Sequence, residues 1–277
     1  MKKRILACIV CLCVVLSIAP TIVFAAEERV TIIDDNGFRV WSDDGKEFIK
    51  RTSSTEGNAV VFDQSGTYYV TGSTSNYRII VSADGVIIVL NGATIKPTTR
   101  GAAIGVAEEC AEETKVTIML SEGTENEVSG CKNAGINNLG RELKIVGDGT
   151  LNAKGGSCRA GIGGGSRGNG SNITISGDPT IQVTSGKNGV GFGNGFGAIG
   201  ESKITISGGT ITTLNCKPFS DRPDLSNYNN SEIYLNDEIC VYCSDATFKS
   251  SVPILEIIPE GSRSCSFLFC TFIQTEP

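Results

Sequence analysis

NITISGDPTIQV, residues 172–183, carries the pattern that decides the fold: apolar and polar residues alternate, a tight turn follows, and Thr180 begins a second alternating stretch. Four other segments repeat this pattern: GVIIVLNGATI (85–95), KVTIMLSEGTE (115–125), ELKIVGDGTLN (142–152) and KITISGGTITT (203–213). Alternation with a period of two predicts β-strands that bury one face. Each strand is too short to form a core alone, so strands of successive segments must stack on one another.

The segments recur at a nearly constant interval. Five Thr residues follow the turns at separations of 30, 26, 30 and 30 residues: Thr94, Thr124, Thr150, Thr180 and Thr210. A second apolar element lies between them and has four centres: Ile104, Ile136, Ile162 and Phe192. This period predicts an all-β fold, a parallel β-helix over residues 56–215 with coils about 4.8 Å apart. A β-sandwich also has short strands, but it does not explain the interval.

The two ends of the chain differ from the repeats. Residues 26–55 contain short strands separated by Asn36-Gly37 and Asp44-Gly45, which favour tight turns, so we expect an N-terminal β-hairpin cap on the first coil. The pattern weakens from Cys216 onward. Residues 216–277 are predicted to form one degenerate coil and a Cys-rich C-terminal end.

Residues 1–25 have the layout of a cleavable signal peptide: a basic start, an apolar run and small residues before Ala26. A retained membrane anchor is the alternative. Cleavage removes three basic residues and no acid, which changes the charge from 24 − 30 = −6 to 21 − 30 = −9. We therefore expect a secreted or cell-surface protein without a further membrane span, whose acidic surface repels nucleic acid and polyanions.

The composition restricts the possible chemistry. The chain contains no His, which excludes Ser-His-Asp hydrolases and His-dependent zinc proteases. Eight of the 11 Cys follow the signal peptide, and an even number in an exported chain favours disulfides. Cys131 and Cys158 occupy similar positions in neighbouring coils and are our predicted pair, with stacked free thiols as the alternative. A zinc site formed by Cys240, Cys243, Cys265 and Cys270 is a second alternative for the C-terminal end.

Several segments together resemble a known family: GTYYV (66–70), GVIIVLNGATI (85–95), GAAIGV (101–106), KVTIMLSEGTENEVSG (115–130) and AGINN (134–138). They are similar to secreted bacterial carbohydrate-binding domains that fold as right-handed parallel β-helices, with an architecture related to pectate lyases. The resemblance covers about residues 56–215. It implies polysaccharide or cell-wall glycan binding at the cell exterior, with calcium expected and lyase activity not required. The Cys-rich end departs from the family pattern.

Three acidic residues are candidate calcium ligands. Glu122, Asp148 and Asp178 each lie two residues before a repeat Thr, so in-register coils would align them in a column with about 5 Å between backbones. Carboxylates this close repel one another, and a bound Ca²⁺ would remove that repulsion. The alternative is that they are ordinary turn residues exposed to water, since the turns differ in length.

Three functions remain open: a non-catalytic polysaccharide-binding module, a calcium-dependent uronate lyase, and a structural or adhesive surface protein. A lyase needs a base near the cation, and four basic loop residues are candidates: Lys154, Arg159, Arg167 and Lys187. A binding module needs aromatic platforms, for which six side chains are available: Trp41, Tyr68, Tyr69, Tyr77, Phe192 and Phe196. The polysaccharide-binding module is our prediction and the other two functions are its alternatives. The sequence does not choose among the six aromatic residues.

Overall fold

A computed structural model describes residues 26–53, 57–198, 202–214, 217–219, 231–235, 240–243 and 256–258. Every secondary-structure element assigned in these residues is a β-strand, so the all-β prediction is confirmed. The predicted signal peptide (1–25) lies outside the described residues, as does most of the predicted Cys-rich end (216–277). Among the described residues, no helix is long and apolar enough to cross a membrane.

The first strands in chain order are β1 (Ala26–Val30), β2 (Ile32–Asp35), β3 (Phe38–Ser42), β4 (Phe48–Thr52), β5 (Asn58–Phe62), β6 (Gly66–Thr74), β7 (Tyr77–Val81) and β8 (Val86–Ile95). They are followed by β9 (Ile104–Val106), β10 (Lys115–Leu120), β11 (Glu125–Ser129), β12 (Ile136–Asn137), β13 (Glu142–Gly147), β14 (Thr150–Lys154), β15 (Ile162–Gly163) and β16 (Ile173–Ile175). The last are β17 (Thr180–Thr184), β18 (Val190–Gly193), β19 (Ser202–Ile206), β20 (Thr210–Leu214), β21 (Lys217–Phe219), β22 (Ser231–Leu235), β23 (Cys240–Cys243) and β24 (Glu256–Ile258).

The N-terminal strands pair antiparallel. Asn36 and Gly37 join β2 to β3 with φ values of 52° and 87°, and positive φ at both central positions is what a type I′ hairpin turn requires. β3 also pairs antiparallel with β6, while β1 pairs with β4 and β4 with β5. These strands therefore extend both sheets of the molecule beyond the first repeat.

Strands β5 to β24 pair with one another only in parallel, whereas β5 pairs antiparallel with β4 and β6 pairs antiparallel with β3. One sheet has the order β1-β4-β5-β7-β9-β12-β15-β18-β21. The second sheet divides at β8, whose first half pairs with β10 and whose second half pairs with β11. We call β10, β13, β16, β19 and β22 the first series, and β11, β14, β17, β20, β23 and β24 the second series. Repeats thus add strands to the first sheet and to both series, and their parallel pairing is confirmed.

Apolar residues of successive repeats stack in the core. Five fully buried isoleucines lie in register along β8 and the first series: Ile88, Ile118, Ile145, Ile175 and Ile206. The four predicted centres also stack, in the other sheet: Ile104, Ile136, Ile162 and Phe192. Burying each such side chain contributes about 1.5–3 kcal/mol. The short strands thereby share one continuous core.

Turn length changes the register between repeats. Thr150, Thr180 and Thr210 pair with one another as the repeat predicts. The residue that pairs with Thr150 on β11 is Glu125 rather than Thr124, and the partner of Thr94 is Glu127. Four residues separate β10 from β11, whereas two separate β13 from β14. The five Thr residues therefore do not all align, because the longer turn displaces the residues around it.

Candidate functional site

A row of apolar side chains crosses the outer face of the second sheet. Strand register aligns six residues from neighbouring strands, which we call the apolar row: Ile32, Trp41, Tyr69, Val89, Met119 and Val146. The residues adjacent to them along each strand point into the core, so the members of the row point outward. Ile32 and Met119 are 44% and 40% exposed, whereas Val89 between Tyr69 and Met119 is only 7% exposed. Six strands about 4.8 Å apart make the row about 24 Å long.

Two aromatic rings lie next to each other within the row. The Trp41 and Tyr69 rings are nearly parallel, with an interplanar angle of 15° and centroids 5.3 Å apart. The Arg39 guanidinium lies 5.1 Å from the Trp41 ring centroid, a cation–π contact. A hydrogen bond to the Asp43 carboxylate raises the pKa of the Tyr69 hydroxyl, which stays protonated at neutral pH. These contacts fix both rings on the outer face, where neither is fully buried.

The structure separates the six aromatic candidates into two groups. Tyr68, Tyr77 and Phe192 are buried in the core and cannot meet a ligand. Trp41 and Tyr69 are partly exposed in the apolar row, and Phe196 is 37% exposed on a loop. Reasoning from the sequence did not distinguish these groups, and it missed Ile32 and Met119. The sequence signal for these two residues was an apolar side chain at an outward position of a strand, where the alternating pattern predicts a polar one.

A polar row runs beside the apolar row, two residues earlier on the parallel strands. Its outward members, all polar except Ile87, are joined by the same register: Thr67, Ile87, Thr117, Lys144, Thr174 and Thr205. A shift of two residues along a strand separates the two rows by about 7 Å. The Thr67 and Thr117 hydroxyls and the exposed Lys144 ammonium therefore lie alongside the apolar row, in a position to bond the hydroxyls of a ligand whose flat face rests on the rings. The polar row continues past the end of the apolar row on β16 and β19.

The three predicted calcium ligands are not all brought together. The backbone N–H of Asp178 donates to Asp148 Oδ1 at 3.2 Å, so these two residues are neighbours in consecutive exposed turns. Glu122 lies in the longer turn, which is displaced from their alignment. The described residues contain no group of three His, Cys, Asp or Glu side chains suited to a metal ion. Calcium binding stays a prediction, and this geometry favours it only for the aspartate pair.

The basic loop residues lie at the other end of the strands from these acids. Asp148 precedes β14 and Asp178 precedes β17, whereas Lys154 ends β14 and Lys187 follows β17. The five-residue strand β14 is about 13 Å long. A lyase mechanism that joins these bases to a cation at the aspartates is therefore not favoured by the geometry.

Cys131 and Cys158 follow β11 and β14, in consecutive repeats. Both are free thiols here, and Cys131 Sγ donates to the Thr98 carbonyl at 3.2 Å. Cys110 is also free, and burial raises the pKa of its thiol. The predicted Cys131–Cys158 disulfide stays a prediction. The alternative zinc site lies largely outside the described residues, because Cys265 and Cys270 are not among them.

A family model of carbohydrate-binding domain-containing proteins matches residues 56–217. The chain belongs to this family. Tyr69, Val89, Met119 and Val146 of the apolar row lie within the matched carbohydrate-binding domain, and Trp41 lies before it. Comparisons of the chain with curated proteins and with solved structures gave no match.

Proposed function

We propose that this protein is an exported, non-catalytic polysaccharide-binding module and that the apolar row is its binding surface. The observation that carries the proposal is the Trp41–Tyr69 pair on the outer face of a sheet in a member of a carbohydrate-binding family. Aromatic rings bind the apolar faces of sugar rings, and the adjoining polar row supplies hydrogen-bonding groups. The row, about 24 Å long, suits an extended chain better than a single sugar.

We also propose that the protein is exported and that its chain winds as a right-handed parallel β-helix. The layout of residues 1–25 supports cleavage of a signal peptide and location outside the cell. The addition of strands to one sheet and to both series, repeat after repeat, supports winding as a right-handed parallel β-helix. The fold alone does not determine the function, so binding experiments must identify the ligand.

The test is a pull-down on insoluble and acidic polysaccharides, with and without a chelator. The wild-type protein should bind at least one polysaccharide, and Trp41→Ala with Tyr69→Ala should weaken that binding. Thr180→Ala, an exposed position on the second series, is the control and should bind normally. Failure of the wild-type protein to bind any polysaccharide would favour the structural or adhesive alternative. Release of an unsaturated uronide, seen as ultraviolet absorbance, would instead establish the lyase.

A further inference from the structure

The one sulfur atom of the apolar row belongs to Met119. This side chain is 40% exposed, whereas its neighbours along β10, Ile118 and Leu120, are buried in the core. Because successive side chains of a strand point to opposite faces, the Met119 thioether lies on the outer face of the sheet. A small solute therefore reaches this side chain without any unfolding of the protein.

Met119 differs chemically from the other members of the row. The chain contains two Met residues, Met1 and Met119, so a methionine modification downstream of Met1 has a single possible site. A thioether reacts with a peroxide as it stands, whereas a Cys thiol must first become a thiolate. Outside the cell, where the proposed function places the protein, the reducing systems of the cytosol do not protect this group.

Met119 lies within the stretch that a polysaccharide bound along the row crosses. Strand register places Val89 between Tyr69 and Met119, and Val146 on the other side of Met119. Two strand spacings, about 10 Å, therefore separate the backbones of Tyr69 and Met119. A chain of a few sugars that stacks on Tyr69 and follows the row also covers Met119.

We propose that Met119 is an oxidation site and that its conversion to methionine sulfoxide by a peroxide weakens polysaccharide binding. The inference rests on the proposed function, since the apolar row is the binding surface named there. The Met119 sulfur attacks one oxygen of hydrogen peroxide, so that an S–O bond forms and the O–O bond breaks. The departing hydroxide takes the proton of the transferred oxygen and leaves as water. Sulfur loses two electrons and the peroxide gains them, so no further reactant is needed.

The sulfoxide changes the polarity of the row. A thioether is apolar, whereas a sulfoxide oxygen is a polar hydrogen-bond acceptor. The side chains in register on either side of it, Val89 and Val146, have no donor for this oxygen. A sugar face that covers Met119 presents C–H groups and removes water from the sulfoxide. Because a polar group that is buried without a partner is unfavourable, the affinity should fall by about tenfold.

The test measures oxidation and binding on the same samples. Native protein is treated with hydrogen peroxide, and peptide mass spectrometry should find one added oxygen atom on the peptide that contains Met119. Binding to microcrystalline cellulose, insoluble xylan and pectin is measured before and after the treatment. The affinity for a polysaccharide that the untreated protein binds should fall by about tenfold. The two methionine sulfoxide reductases, one for each sulfoxide epimer, should restore it.

Met119→Leu is the matched control, because it removes the sulfur, keeps the apolar volume and leaves every Cys and Trp41 in place. It should bind with the affinity of the untreated wild-type protein both before and after peroxide. Met119→Gln, which has a permanent polar group at this position, should bind about tenfold more weakly without any treatment.

The outcomes separate the two proposals. Complete oxidation of Met119 without a change in binding overturns the inference and leaves the proposed function standing, and so does a Met119 that resists peroxide in the native protein. Equal weakening of the wild-type protein and Met119→Leu places the effect at a Cys or at Trp41 and overturns the assignment to Met119. Binding of none of the three polysaccharides by the untreated protein overturns both proposals. Oxidation and repair of the wild-type protein need no variant, so the inference remains testable if a variant fails to fold.

Discussion

The rings of Trp41 and Tyr69 stack across β3 and β6, with centroids 5.3 Å apart, and so join the N-terminal hairpin to the first repeat. Trp41 is the only Trp in the sequence. The environment of this ring therefore determines the whole Trp fluorescence of the protein, so fluorescence can report a ligand that binds at the candidate surface.

Polysaccharide binding should change the Trp emission. A sugar that covers the apolar row removes water from the indole, so the spectrum should shift on titration with a bound polysaccharide. Tyr69→Ala should reduce affinity by about fivefold, since an aromatic stacking contact is worth about 1 kcal/mol. Thr180→Ala should titrate like the wild-type protein. A binding curve without any change in emission would place the ligand away from Trp41.

Gly147 is expected to be intolerant of a side chain. Its φ is +102°, and a Cβ atom would lie 2.2 Å from the Leu120 carbonyl oxygen of the preceding repeat. Gly123 also has a positive φ, +69°, but a Cβ atom there would meet nothing within 4 Å. Gly147→Ala should therefore lower the free energy of unfolding by several kcal/mol and Gly123→Ala by about 1 kcal/mol, as measured by urea denaturation. Equal losses would contradict this packing of the turns.

Stability should decrease at alkaline pH through Tyr68. Burial raises the pKa of Tyr68 from 10.0 to about 12, and its hydroxyl donates to the Gln64 carbonyl at 2.9 Å. Because the unfolded chain loses this proton first, the contribution of Tyr68 is complete below pH 10 and is lost as pH rises toward about 12. Urea denaturation between pH 9 and 12 should show a smaller loss for Tyr68→Phe. Parallel pH profiles for the two proteins would exclude this contribution.

The affinity of the protein for calcium should depend on Asp148 and not on Glu122. The Asp178 N–H to Asp148 Oδ1 contact of 3.2 Å makes the aspartates neighbours, whereas the longer turn displaces Glu122. Asp148→Asn should weaken calcium binding in calorimetry, and Glu122→Gln should leave it unchanged. An unchanged affinity in Asp148→Asn would reject a calcium site at these turns.

The thiols of Cys131 and Cys158 are expected to pair when the protein is exported. They follow β11 and β14, whose strands pair directly, and exported proteins meet oxidising conditions. Peptide mapping without reduction should recover the two cysteines in one linked fragment. Recovery of both as alkylated thiols would establish the alternative of free, stacked cysteines.

The sequence by itself determined the strands and their parallel stacking. Alternation such as Ile173 with Ile175 requires one buried face, and a recurrence near 30 residues requires each repeat to cover the next. The core residues Ile104, Ile136, Ile162 and Phe192 were predictable for the same reason. Burial of apolar surface depends on local periodicity, which a sequence displays directly.

Only the tertiary structure decided which functional groups meet. The turn of four residues before β11 separates Glu122 from the aspartates, and the register of β3 with β6 brings Trp41 to Tyr69. Composition gives the net charge but not the positions of the cations, and strand stacking brings Lys132, Arg159 and Lys187 to neighbouring turns of successive repeats. Electrostatic and stacking contacts form over a few ångströms between side chains that are far apart in the chain. Turn lengths and strand register therefore decide which of these side chains meet, and composition does not.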